Sequence, residues 1–303
     1  MIIDVHTHAP RYRTRAEADA APAPAASAAP MRPDRPDPSR VTWDDYLEAM
    51  RPVDRTIVFN IAAQPPGDPF PPGLPIDGVV RSSDLARDVN DATAALVRAH
   101  PEKLIGFMSV HPRDPHVLDE MDRAVGDLGL RGIKLGPNYQ NFDPLGEEAS
   151  RVFARADKLG LPILMHQGTS PVQFADLDWA HPRHLDRVAT RFPGLRLVIA
   201  HFAHPWQVDA LAVIRKHPNV WADISALHYR PWSYYTSLRL AAEWSVLHKL
   251  LFGSDWPVAT PQETIDAIPH VNDILEGTRL PRVPVDELMA AVHRDALDAL
   301  GLD

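Results

Sequence analysis

Short apolar runs recur along the chain at Ile2–His6, Thr56–Asn60, Leu104–Val110, Gly132–Gly136, Pro162–His166, Arg196–His201, Val220–Ser225 and Leu250–Asp255. Each is too brief for a helix and is bounded by Gly, Pro, Asp or Asn, so each reads as a strand. Between them lie segments of helical period, among them Ser83–Ala99, Asp114–Leu128, Leu145–Leu159, Pro182–Arg191 and Pro205–Lys216. A last helix is predicted over Asp286–Leu300. Strand and helix in alternation, eight times over, predict the α/β class and one (β/α)8 TIM barrel occupying residues 1–303. A doubly wound open sheet is the alternative, but no Gly-x-Gly-x-x-Gly turn follows the first strand. No repeat of solenoid period is visible.

Two stretches break the pattern, and both fall after strands, where a barrel carries its irregular loops. Residues 9–40 form an insertion in the first strand-to-helix loop, rich in Ala, Pro and Arg, with Ala20–Pro30 of low complexity. They read equally well as a lid over the mouth or as a surface loop without a role. Gln64–Gly78 holds six prolines and can continue neither strand nor helix.

Composition narrows the class of function. With 303 residues, 45% hydrophobic and 23% charged, the chain has the balance of a soluble globular enzyme. A formal net charge of −9 opposes nucleic acid or an anionic membrane as partner and leaves a small molecule as the expected one. There is no cysteine, which excludes disulfides, thiolate ligands and a cysteine nucleophile. No basic-then-apolar leader precedes the first strand, and no apolar run approaches the roughly 20 residues that span a bilayer, so a cytoplasmic location is expected.

Chemistry gathers at the C-terminal ends of the predicted strands. His6 and His8 are two residues apart, so on a strand they project to one face, where two neutral imidazoles can share a metal ion. The fourth strand contributes Lys134, the fifth His166, the sixth His201 and the eighth Asp255. In a barrel these ends converge on one mouth. A single histidine at the end of an apolar strand would read as a hydrogen-bonded core residue, and Asp255 alone as a helix cap. Together, three imidazoles and a carboxylate suit Zn²⁺ or a similar divalent ion with a further position open to water.

This pattern resembles a known family. His-x-His on the first strand, Gly-Ile-Lys-Leu on the fourth, single histidines ending the fifth and sixth, and Gly-Ser-Asp-Trp-Pro on the eighth look like the amidohydrolase superfamily. More narrowly, they look like the amidohydrolase-related branch that includes aminocarboxymuconate semialdehyde decarboxylase, resorcylate-type decarboxylases and several lactone and C–C bond hydrolases. The likeness runs from Ile2 to the closing Arg294–Gly301 segment. It implies that His6, His8, His166 and Asp255 bind one divalent metal, usually Zn²⁺, with Mn²⁺ or a similar ion as the substitute. It also implies that His201 orients or shares the proton of the water such an ion activates, with Asp255 and His201 as the catalytic proton-transfer groups. Dimers are common in that branch, so a homodimer is an expectation.

Lys134 divides the family. It bridges two metals as a carbamate in some branches, and otherwise serves as an ammonium for a substrate carboxylate or as half of a structural ion pair. It is one of only five lysines in the chain, which makes its place in the mouth more telling. Arg230 and His228, in the loop after the seventh strand, are further candidates for substrate binding: Arg230 could grip a carboxylate bidentately and His228 could act as an acid or base. Surface and packing roles compete for both. His111 at the end of the third strand, and Trp232, Trp256 and Phe202 as aromatic walls, complete the candidates.

The leading expectation is a metal-dependent hydrolase acting on a lactone, ester, amide or activated C–C bond in a small carboxylate-bearing or cyclic substrate. A non-oxidative decarboxylase of an aromatic or muconic acid would reuse the same site. A metal-free lactonase of similar fold, or a barrel that has lost catalysis, are the remaining readings; the latter would lack at least one ligand, and all the ligand positions are filled.

Overall fold

The computed structural model describes residues 1–21, 32, 40–63, 65, 85–170 and 175–303. Eight parallel strands follow one another in chain order around the sheet: β1 (Ile3–His8), β2 (Arg55–Phe59), β3 (Leu104–Ser109), β4 (Gly132–Leu135), β5 (Ile163–Met165), β6 (Leu197–Ile199), β7 (Val220–Asp223) and β8 (Leu250–Leu251). Helices α1 (Arg15–Ala20) and α2 (Trp43–Ala49) lie between β1 and β2. They are followed by α3 (Ala86–Ala99), α4 (Val117–Gly126), α5 (Glu147–Leu159), α6 (Arg183–Arg191), α7 (Gln207–Lys216) and α8 (Pro231–Glu243), one after each of β2 to β7. The chain ends in α9 (Pro261–Ala267), α10 (Val285–Met289) and α11 (Ala296–Leu300). The fold is the expected (β/α)8 barrel. Backbone bonds from Val5 N to Phe252 O, Asp255 N to His6 O and His8 N to Trp256 O close β8 against β1.

The strands are buried on both faces, and alternate residues join two different cores, an inward and an outward one. Outward residues such as Ile133, Leu135, Ile163, Met165, Leu197 and Ile199 join the helices in one core. Inward residues, among them Ile57, Phe59, Ile105, Phe107, Leu164, Val198 and Leu251, fill the barrel, and Leu297 and Leu300 of α11 pack against them. Toward the C-terminal ends the inward row turns polar: Leu164 is followed by His166, Trp221 by Asp223 and Ser225, and Leu251 by Gly253 and Asp255. The barrel therefore has an apolar plug below and a polar bowl above.

β1 shows how that change is made. Its register shifts between Asp4 and Thr7. Below the shift Ile3 and Val5 belong to the inner core. Above it Thr7 turns outward to hydrogen-bond Tyr46 of α2, while His6 and His8 stand against Phe59 inside the barrel. Such an irregularity re-aims side chains near a functional site. The carboxylate of Asp4 secures it by accepting from His6 N and Ser254 N.

Several boundaries differ from expectation. β1 runs through His8 rather than ending at His6, because pairing with Phe59 of β2 continues that far. His166, His201 and Asp255 lie just beyond their strands rather than within them; His201 and Asp255 have left-handed φ values of 55° and 64°, which no ladder accepts. The helix predicted over Asp286–Leu300 is two short helices, broken where the Asp295 side chain caps α11 through Leu297 N and Asp298 N. In the first insertion, Thr14 and Glu17 form a capping box that starts α1. Ala20 and Ala21 apart, the low-complexity stretch Ala20–Pro30 lies outside the described residues, as does Gln64–Gly78 except for Pro65. Among the described residues no helix is long and apolar enough to cross a membrane.

Gly132 faces Phe107 across the ladder, and a Cβ there would stand 2.4 Å from the ring. Gly132→Val should overpack the barrel interior and lower stability by about 1–3 kcal/mol in urea unfolding, with little change in m-value.

Candidate metal centre

His6 is fixed first. Its Nδ1 donates to Asp223 Oδ2 at 2.9 Å, which selects the tautomer whose Nε2 carries a lone pair. That Nε2 lies 3.3 Å from Asp255 Oδ1, and His8 Nε2 lies 3.2 Å from the same oxygen. The three donor atoms are all within 4.8 Å of one another, and all three residues are buried. His166 follows β5 on the inward row; its ring is 5.1 Å from that of His201, and its Nε2 is buried with no hydrogen-bond partner among the described residues. A buried imidazole nitrogen without a partner costs about 1–3 kcal/mol unless something pairs with it.

His201 is held differently. It begins a turn in which His201, Phe202 and Ala203 all have left-handed φ, at 55°, 47° and 53°. Such backbone costs roughly 1–2 kcal/mol per residue, and it concentrates where a side chain must be placed. Asp223 Oδ1 accepts from His201 N at 2.9 Å and from the Ser225 hydroxyl. With its proton committed to Asp223, Ser225 Oγ accepts from His201 Nδ1 at 2.8 Å. His201 therefore also presents an unprotonated Nε2, and it lines the pocket.

Burial sets the charge states. It pushes His6, His8 and His201 well below the ordinary imidazole range and His166 down to about 3, with neighbouring Lys134 adding to the effect. Neutral imidazoles are what a metal requires. Burial also holds the Asp255 carboxyl well above its usual range, against the pull of Lys134. The Lys134 amine is lowered to about 7 by desolvation, opposed by Asp255 and Asp223. Its Nζ lies 3.0 Å from His6 Nε2 and 4.4 Å from the centre of the Phe59 ring. A divalent cation on this donor set would favour the carboxylate form of Asp255 and the neutral form of Lys134. The residues fit such an ion.

Above these groups opens a pocket of about 540 Å³, solvent at its mouth included, whose walls include Tyr139, Gln167, Thr169, His204, Tyr229 and Arg230. The guanidiniums of Arg230 and Arg32 lie 4.4 and 4.6 Å from the Tyr229 ring centre. Arg230 also donates to Ala226 O at 2.8 Å, which steadies it at the rim.

The structure thus brings His6, His8, His166, His201, Asp255, Lys134 and Arg230 together. It does not bring His228, which stands edge-on to Tyr229, 5.6 Å between ring centres, and is not part of the pocket wall. Its neighbour Tyr229 occupies that wall instead. His111 bonds Gln140 O at 2.6 Å and accepts from Arg113 N, the packing role that competed for it. Phe202 is core, Trp256 packs on Tyr46, and Trp232 is 64% exposed, so the aromatic wall is Tyr139 and Tyr229. Asp223 and Ser225 escaped the sequence reading. Their signal was the same i, i+2 spacing that exposed His6 and His8, at the end of an equally apolar strand.

A family model described as amidohydrolase matches residues 3–297. The chain belongs to the amidohydrolase family. Its relatives are enzymes of more than one chemistry, and this amidohydrolase is an enzyme. A decarboxylase of Emericella nidulans, orsB, is 23% identical over 307 residues, covering 87% of each chain. An L-fucono-1,5-lactonase of Burkholderia ambifaria is 34% identical over 96 residues, a match spanning only 33% of that protein's length. Among solved structures, an uncharacterised TIM-barrel protein from Bordetella bronchiseptica superposes with a TM-score of 0.67 at 20% identity, covering 99% of this chain and 98% of that one. The 5-carboxyvanillate decarboxylase of Novosphingobium aromaticivorans, solved with manganese and a nitrobenzoic acid, gives 0.63 at 16% identity, covering 99% and 96%. These similarities extend to the fold.

Asp223→Asn should leave the barrel folded but weaken binding of a divalent ion about 10–100-fold in chelator competition, because His6 would lose the acceptor that fixes its tautomer.

Proposed function

We propose that this amidohydrolase is a metal-dependent hydrolase of a small carboxylate-bearing or cyclic substrate, opening an ester, lactone, amide or activated C–C bond. His6, His8, His166 and Asp255 hold one divalent ion, Zn²⁺ or Mn²⁺. The observation that carries this is the convergence of His6 Nε2, His8 Nε2 and Asp255 Oδ1 within 4.8 Å, in a pocket that His166 also lines with an Nε2 that has no partner among the described residues. When bound, such an ion polarises a substrate oxygen and lowers the pKa of water toward about 7.

The protein's own groups do the rest. His201 Nε2 takes a proton from the attacking water and returns it to the leaving group, its Nδ1 anchored through Ser225 to Asp223. Asp223 keeps His6 in the right tautomer directly and His201 through Ser225, without itself moving a proton. Arg230 draws a substrate carboxylate to the rim, and Lys134 meets an oxygen deeper in the bowl. Tyr139, its ring centre 4.5 Å from that of His166, gives a flat surface for a ring.

Decarboxylation of an aromatic or muconic acid is the second reading, favoured by the decarboxylase match over 87% of each chain. In that case His201 or Asp255 delivers the proton to carbon, and Arg230 and Lys134 hold the departing carboxylate before cleavage. The manganese in the Novosphingobium decarboxylase makes Mn²⁺ the first alternative ion to load.

Metal content of protein purified without chelator, wild type beside His8→Ala, tests the centre. About one equivalent in wild type, lost in the variant, is expected; two equivalents would require a bridging carbamate on Lys134, and none after incubation with Zn²⁺ or Mn²⁺ would overturn the reading. Loaded enzyme then separates the two chemistries. Incubation in ¹⁸O-water should place label in the carboxylate formed from lactones or esters, whereas release of CO₂ from hydroxylated aromatic acids with no label in the remaining organic product would select the lyase.

A further inference from the structure

Lys134 and the candidate ligand His6 meet at a single atom. The Nδ1–H of His6 is committed to Asp223 Oδ2 at 2.9 Å, so its Nε2 carries one lone pair and no proton. Lys134 Nζ stands 3.0 Å from that Nε2 and donates to it. An amine donates N–H with or without its extra proton, so the contact does not turn on the charge of Lys134. The same Nε2 is one of the three donor atoms that converge within 4.8 Å. One lone pair serves one partner.

The fold delivers the amine to this spot. Lys134 is held on β4 by register with Ser109 of β3 on one side and Leu164 of β5 on the other. Its chain neighbours Ile133 and Leu135 belong to the outer core, so Lys134 enters the bowl from the inward row. The residue is 1% exposed, and the Phe59 ring centre lies 4.4 Å from Nζ. Among the described residues no carboxylate pairs with the amine directly; Asp255 and Asp223 act on it only at longer range. The partner of Lys134 is therefore the imidazole, and a structural ion pair is not what holds it. Lys134 also lines the pocket, and its four-carbon stem is flexible, so an amine displaced from His6 has somewhere to go.

We infer that the Lys134 amine and a divalent ion exclude each other at His6 Nε2, so that Lys134 is a positioning residue whose release from His6 accompanies metal loading. This rests on the metal centre proposed above. Freed from the imidazole, the amine is available to a substrate oxygen, so the ion readies a second group of the bowl by the act of binding. The link is reciprocal: whatever draws the amine into the pocket also opens His6 to the ion. A lysine that served packing alone would not contest the ion, and its removal would not tighten binding.

The test is Zn²⁺ affinity by chelator competition at one pH, wild type beside Lys134→Met, with ¹⁵N-histidine spectra of both metal-free proteins. Removing the amine from the ligand lone pair should tighten Zn²⁺ binding about tenfold or more, with stoichiometry held at about one equivalent. The His6 Nε2 signal of the metal-free variant should move toward that of an imidazole nitrogen accepting no bond. Lys134→Leu provides the same comparison should the methionine variant misfold. Affinity within about twofold of wild type, or weaker, would overturn the inference, the weaker case by making Lys134 a support of the ion. Tighter binding with an unmoved His6 signal would mean that Lys134 acts through its charge alone, and would overturn it too. In all of these outcomes the metal centre stands. Failure of wild type and variants alike to bind Zn²⁺ would remove the centre and this inference together.

Discussion

The backbone hydrogen bond from Asp255 N to His6 O is the middle one of three that close the barrel, and it is the one that assembles the site. β8 is only two residues long, so closure falls largely to the segment beyond it. There Phe252, Asp255 and Trp256 engage Val5, His6 and His8 in turn. The same contacts that end the sheet bring the Asp255 carboxylate to 3.3 and 3.2 Å from the two imidazoles of β1. Barrel closure and ligand geometry therefore cannot vary independently. A looser closure would lose the donor set before it lost the fold.

The bowl is costly to build. Lys134, Asp255, Asp223, Asp4 and His6 are each no more than 6% exposed, and burying ionisable groups is unfavourable unless they are paired. The molecule contains this by sharing. Asp223 serves His6 with one oxygen and His201 and Ser225 with the other, while Asp4 binds two backbone amides on either side of the closure. Of the seven non-glycine residues with left-handed φ among the described residues, His201, Phe202, Ala203, Ala226 and Asp255 follow the C-terminal ends of β6, β7 and β8. Strain and desolvation gather where placement matters, and the apolar plug below, from Phe59 and Phe107 to Leu300, supplies the compensating burial.

The barrel was legible because its strands are nearly continuous apolar runs, as strands buried on both faces must be. His6, His8, His166, His201 and Asp255 were legible jointly: each alone has an ordinary structural explanation, but compatible ligands ending four strands that converge on one mouth do not. Asp223 was not, because a carboxylate within Val-Trp-Ala-Asp looks like an ordinary strand end until the fold reveals His6 facing it. The shift in β1 was also invisible, since unbroken alternation would have put Val5 and Thr7 on one face. Helix ends moved wherever one side chain decided the matter, as Asp295 does before α11. His228 was a candidate and Tyr229 was not, yet Tyr229 lines the pocket, because in a loop sequence proximity does not say which neighbour turns inward.

The division of labour within the bowl also explains why one sequence pattern serves several chemistries. Every group expected to hold the ion or to move a proton stands on a strand or within a few residues of one, fixed by closure and by Asp223. The groups that would meet the rest of a substrate, Tyr139, Gln167, Tyr229 and Arg230, all belong to loops after β4, β5 and β7. Loops tolerate substitution that strand ends carrying shared hydrogen bonds do not. A hydrolase and a decarboxylase can thus share the floor and differ in the wall. In this chain the wall sets a cationic rim, Arg230 against the Tyr229 ring, beside the aromatic face of Tyr139, and these are the positions where a change of substrate would leave the floor intact.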